Sequence, residues 1–181
     1  MERTAYHIEK INNNTKLFLE KFGNLSDEQL NFKPNDSTWS IAQNINHLII
    51  VNNSYFEPIE SLIAGTYTVP LLAKFETFSN IFGKIILKGV KPEGINKMKT
   101  FPVWNPTQSN LSKTILPDFE KSQDHLKAAI LKGDDLIANK AVICSPANKK
   151  IFYKLDTALE IIATHQLRHF NQAVSVAEKI R

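Results

Sequence analysis

Apolar residues recur along this chain mostly at helical spacing. Between residues 3 and 22, Ile8, Ile11, Thr15, Phe18 or Leu19, and Phe22 share one face, and Gly23 follows as a stop signal. A polar connection comes next. Within it Ser26, three residues before Gln29, reads as a capping box for a short turn at 26–30. Thr38 or Ser40 can cap a second helix over 39–64, whose buried side is Ile41, Leu48, Val51, Tyr55, Ile59 and Leu62, with Gly65 beyond. Pro58 inside that run predicts a kink or break near Glu57. Phe75, Phe78, Phe82, Ile85 and Ile86 predict a shorter helix over 71–88. A third main helix is expected over 108–131, with Pro117 leaving its start open. Residues 133–154 read as a loop with an extended piece at 140–144. A fourth helix is expected over 155–180, striped with Ala158, Ile162, Ala173, Val176 and Ile180.

Four amphipathic helices without a clear alternating strand pattern predict an all-α fold, a four-helix bundle. The connection at 65–106 is long for a compact domain, and long connections tend to carry function. It would let the second and third main helices run in the same direction. With 181 residues the chain is expected to form a single domain over 1–181.

Composition changes this picture little. Apolar residues make up 43%, enough for a core without disulfides, and the one cysteine, Cys144, cannot form an internal bridge. Beside Ser145 and Pro146, with no paired base in reach, Cys144 reads as a loop thiol, not a nucleophile. No signal-like or membrane-spanning run is present, so a cytoplasmic protein without a membrane partner is expected. The net charge of +4 comes from scattered lysines, densest in 88–99 and 148–150, with arginine only at Arg3, Arg168 and Arg181. No basic stripe interleaved with aromatics appears, so no nucleic-acid partner is expected.

The segment "THQLRHFNQA" carries candidate chemistry. His165 and His169 stand four apart, about 40° from each other on a helical wheel and within the apolar stripe of the fourth helix. Imidazoles aimed into a core need partners, and one metal ion satisfies both. His47, in line with Asn44, Val51 and Tyr55 on the second helix, is a third candidate. Three neutral histidines suit zinc, nickel, iron or manganese and leave coordination positions open. Asn44 and Gln172 are candidates for orienting a ligand or bound water. Trp104 is the better candidate for a pocket wall, and Trp39 reads as an anchor at the start of the second helix. Arg168 is expected to pair with a surface acid, and His7 and His125 are expected at the surface.

These blocks resemble a known family. "LSDEQLNFKPNDSTWSIAQNINHL" (25–48) is similar to the signature of DinB-like proteins, and "HQLRHFNQA" (165–173) to their C-terminal block. "LPDFEKSQDHLKAAI" and "ICSPANKKIFYKLDTALEII" resemble the intervening parts, so the likeness spans nearly the whole chain. The resemblance implies a DinB/YfiT-like four-helix bundle, often a homodimer, with a divalent metal on His47, His165 and His169, zinc or nickel first. It also implies either a hydrolase or a transferase that joins a low-molecular-weight thiol to an electrophile. The partner would then be a small-molecule electrophile or a hydrolysable substrate. A non-catalytic metal- or ligand-binding bundle is the alternative, because no strong acid–base residue stands beside the histidines.

Overall fold

The computed structural model describes residues 1–92, 100–106 and 108–180. The lysine-rich group at 88–99 and Arg181 therefore lie partly or wholly outside the described residues. In chain order the elements are α1 (Glu2–Phe22), α2 (Asp27–Asn31), α3 (Ile41–Ile63), α4 (Glu76–Val90), α5 (Ile115–Lys132), α6 (Asp134–Ala138), β1 (Val142–Ser145), β2 (Asn148–Lys154) and α7 (Leu155–Ala177). The protein is mostly helical.

The local signals explain most boundaries. Ser26 and Ser40 each accept from the backbone N–H three residues on, and Gln29 and Gln43 reach back to them in full capping boxes. Gly65, at φ 69°, takes the left-handed conformation just past α3. Two boundaries differ from expectation. Of the kink or break expected near Glu57, the break does not occur, since Ile41–Ile63 is one helix with Pro58 inside it. The third main helix starts at Ile115 and not at 108. Pro117 then falls in its first turn, where a missing N–H costs nothing.

The strand pattern was too short to read from sequence. β1 and β2 pair antiparallel, with a register irregularity between Cys144 and Ser145. The expected extended piece is real, but it is half of a hairpin that continues straight into α7. Cys144 thus lies on a strand rather than in a loop, buried, with its N–H donating to the Tyr67 hydroxyl at 3.0 Å.

The four long helices form a ring in which α1 and α3 each pack against both α5 and α7. Their directions follow from the contacts. Along α3, Ile41–Leu48 share an apolar cluster with Ile115–Phe119 of α5, and Val51–Ile59 share another with Leu126 and Ile130. Thus α3 and α5 run the same way, as the long connection requires. Arg3 bonds Asp156, Lys10 bonds Glu160 and Asn14 bonds Gln166, so α1 and α7 also run together.

A polar layer separates the two apolar clusters. It takes one amide from each long helix: Asn14, Asn52, Gln123 and Gln166, each at most 3% exposed. Gln123 and Gln166 donate to each other's oxygens, at 3.1 and 2.9 Å. Asn14 donates to Gln166 Oε1 at 3.0 Å, and Asn52 donates to Gln123 Oε1 at 2.9 Å. Every amide is satisfied, so the layer fixes the mutual register of the helices at little desolvation cost.

α4 closes the side of the ring. Its small residues Ser79 and Gly83 face inward, and a Cβ on Gly83 would stand 2.8 Å from the Thr157 methyl. The apolar face predicted from spacing is therefore divided. Phe82 packs inward on Phe152, but Phe75, Phe78, Ile81 and Ile85 are exposed. His7, expected at the surface, is fully buried, its Nε2 2.7 Å from Asp156 Oδ1. Sequence periodicity placed it beside the core but could not show that a carboxylate of α7 would cover it. His125 is exposed, as expected.

Candidate metal centre

His47 projects from the first half of α3, and His165 and His169 from the middle of α7. The register set by the amide layer brings these stretches together. His165 Nε2 lies 3.0 Å from His169 Nε2 and 3.4 Å from His47 Nε2. Ligating atoms of all three lie within 4.8 Å of one another. His47 and His169 are buried, and His165 is partly open to the cavity described below.

The outer nitrogens of two rings are fixed. His47 Nδ1–H donates to the Trp104 carbonyl at 2.7 Å. His169 Nδ1–H donates to Asn44 Oδ1 at 2.8 Å, and Asn44 Nδ2 donates in turn to the Ser40 carbonyl at 2.8 Å. This second bond sets which end of the amide faces the imidazole. With Nδ1 protonated, Nε2 of both rings must present a lone pair to the centre. Lone pairs converging in a buried space repel one another, and a cation relieves that repulsion. The spacing fits: nitrogens about 2.0–2.1 Å from a tetrahedral ion stand roughly 3.3 Å apart.

Electrostatics agree. Burial, then the charges of His47 and Arg168, push His165 down to about 3. Burial, then the neighbouring histidines and Arg168, hold His169 well below the usual value, and burial lowers His47. All three rings are therefore neutral near pH 7, the form that binds metal. The sign for stability follows. Folded His165 takes its proton near pH 3, whereas the unfolded chain takes it near 6.5. Its contribution is complete above pH 6.5 and is lost as pH falls towards 3. The metal-free protein is expected to lose up to about 1.4 kcal/mol per pH unit per such proton below 6.5, softened by cavity water. Urea unfolding with chelator at pH 7 and pH 5 measures this.

The histidines open into a cavity of about 440 Å³ that runs along α7 from Ile161 to Lys179. Both tryptophans line it. Trp39 is more than an anchor, for its ring stacks on His169 with centroids 5.8 Å apart and planes 18° apart. Trp104 contributes its carbonyl to His47, and its indole N–H donates to Ser54 Oγ at 3.1 Å. Of the two residues proposed to orient a ligand, Asn44 does so, whereas Gln172 lines the cavity from an exposed position. Arg168 Nη1 donates to the carbonyls of Gly89 and Lys91 at the end of α4, at 3.2 and 3.1 Å. Such carbonyls lack helical partners, so Arg168 ties α4 to the wall of the site. Burial pushes the Cys144 thiol up, which leaves it a poor nucleophile. Sequence reading missed Tyr55 and Tyr153, whose hydroxyls meet at 2.5 Å in the cavity wall. Tyr55 follows His47 by two turns, but nothing in the sequence marks Tyr153 as its partner.

A family model of the DinB superfamily matches residues 11–173. No curated protein and no solved structure matches the chain. Among the described residues, no helix is long and apolar enough to cross a membrane.

Proposed function

The chain belongs to the DinB superfamily, and from that premise we propose that it is a metal-dependent enzyme, a thiol transferase or hydrolase acting on small molecules. Its fold is read as the family's four-helix bundle, formed by α1, α3, α5 and α7. The observation that carries the reading is the convergence of three neutral Nε2 atoms on one point beside a cavity.

His47, His165 and His169 would hold a divalent ion, zinc or nickel first, iron or manganese as alternatives. Bound there, it would supply Lewis acidity and lower the pKa of a water or thiol. The chain's own residues do the rest. Asn44 and the Trp104 carbonyl fix two rings. Trp39 covers His169 and excludes water from that side. Arg168 and Lys179 line the cavity, and their positive charge would favour an anionic partner such as a thiolate. Replacing Asn44 with alanine should weaken metal affinity about 10–100-fold, measured by competition with a chromogenic chelator. Unchanged affinity would mean that Asn44 does not orient His169.

The cavity's described lining residues include no carboxylate to serve as an acid–base group, which favours a second reading, a non-catalytic metal- or ligand-binding protein. A panel of thiols with a chromogenic electrophile, and of esters, separates the two. Turnover that depends on added metal supports the enzyme. Tight metal binding without turnover on either panel supports the binding protein.

The same reading includes a homodimer. Phe75, Phe78, Ile81 and Ile85 form an apolar outer face on and beside α4, 42–60% exposed, which a second copy would cover. Sedimentation at twice 20.5 kDa, reverting to one chain in Phe78→Glu/Ile85→Glu, is expected. A monomer at micromolar concentration would contradict it.

A further inference from the structure

The cavity extends beyond the histidines in a direction that the metal reading does not use. Tyr55 lies eight residues after His47 on the same helix face, which places it about 12 Å further along α3. The wall between them is apolar, made by Val51, Ile86, Ile151 and Ile162. At its far end the Tyr55 and Tyr153 hydroxyls stand 2.5 Å apart, with Ser145 beside them in the cavity wall. All three residues line the cavity, and none is more than 4% exposed. They present one small polar spot in an apolar wall.

Proton counting gives that spot its character. Two phenol hydroxyls joined by one link carry two protons, so one proton is left to donate outward. A buried donor without an acceptor costs about 1–3 kcal/mol, which an acceptor on a ligand would recover. Charge is excluded. Among the described lining residues the cationic ones, Arg168 and Lys179, follow His165 on and just beyond α7, whereas Tyr153 precedes α7. A carboxylate at the hydroxyls would be buried without a counter-ion.

We infer that Tyr55, Tyr153 and Ser145 form a subsite for one uncharged oxygen acceptor, a ketone, ester or ether, at the far end of an elongated and mainly apolar substrate. The inference rests on the proposed function only in placing the reacting end at the histidines. The hydroxyls are positioning groups and take no part in bond making.

Three matched probes test it on metal-free protein, so that the outcome is independent of any metal chemistry. They are 4-phenylbutan-2-one, butylbenzene and 4-phenylbutanoate, titrated against the fluorescence of Trp39 and Trp104. The ketone should bind about 3–10-fold more tightly than the hydrocarbon, the worth of one neutral hydrogen bond, whereas binding of the carboxylate, drawn to Arg168 and Lys179, should not depend on the tyrosines. In Tyr55→Phe/Tyr153→Phe the ketone should fall to the level of the hydrocarbon while hydrocarbon binding is unchanged. A wild-type protein that binds ketone and hydrocarbon equally, or that binds none of the three, overturns the inference without recourse to a variant. A variant that weakens ketone and hydrocarbon alike also overturns it, since the tyrosines would then only shape the wall. Metal content, measured separately, reports on the histidine reading.

Discussion

His165→Ala loses its metal. The Nε2 of His165 lies 3.0 and 3.4 Å from those of His169 and His47, and its removal leaves only two imidazoles to hold an ion. Affinity should fall by more than about 100-fold, beyond the effect of losing an orienting residue. Metal-dependent turnover should disappear with it. Folding should not suffer. In the metal-free protein His165 is a ring kept neutral by burial, whose Nε2 makes at most one weak hydrogen bond to a neighbouring imidazole, so alanine costs the fold little. Elemental analysis and thermal melts with chelator separate the two effects. Undiminished metal content in His165→Ala would remove this residue from the site.

Gln166→Leu, one residue away, should do the opposite. Its amide joins α7 to Asn14 on α1, Asn52 on α3 and Gln123 on α5. Leucine is close in size but leaves the Gln123 amide without its reciprocal partner and the Asn52 oxygen without a donor. Each buried group left unsatisfied costs about 1–3 kcal/mol, so a loss of about 3–5 kcal/mol is expected. For a chain of this size that is a fall in Tm of roughly 8–16 °C. A change of under about 2 °C would mean that water replaces the lost amide and the layer is not tightly packed.

These neighbours show what could be read from the chain. Periodicity identified the long helices because each buries a continuous stripe, and the capping box at Ser26 fixed one start, while the cap of the second helix stayed open between Thr38 and Ser40 until the structure showed Ser40. The histidines were legible because all three sit within helical stripes, where polar rings are conspicuous. Gln166 sits in the same stripe region, but a lone glutamine is common on helices, and its partners come from three distant segments. The hairpin escaped because β1 is four residues long. His7 and Tyr153 escaped for a shared reason. Their roles depend on residues about 149 and 98 positions away, and single-chain periodicity carries no such pairing. The exposed half of α4 looks like any amphipathic stripe in sequence. Only the inward-facing Ser79 and Gly83 show which side packs.

The central claim is that three distant imidazoles grip one ion and leave part of it open. The most direct test is X-ray absorption at the metal edge, on protein purified without added metal and then equilibrated with zinc or nickel. The account predicts about one ion per chain, with three imidazole nitrogens at about 2.0–2.1 Å and at least one exchangeable light atom. A protein that takes up no ion, or a spectrum showing fewer than three imidazoles, would contradict it.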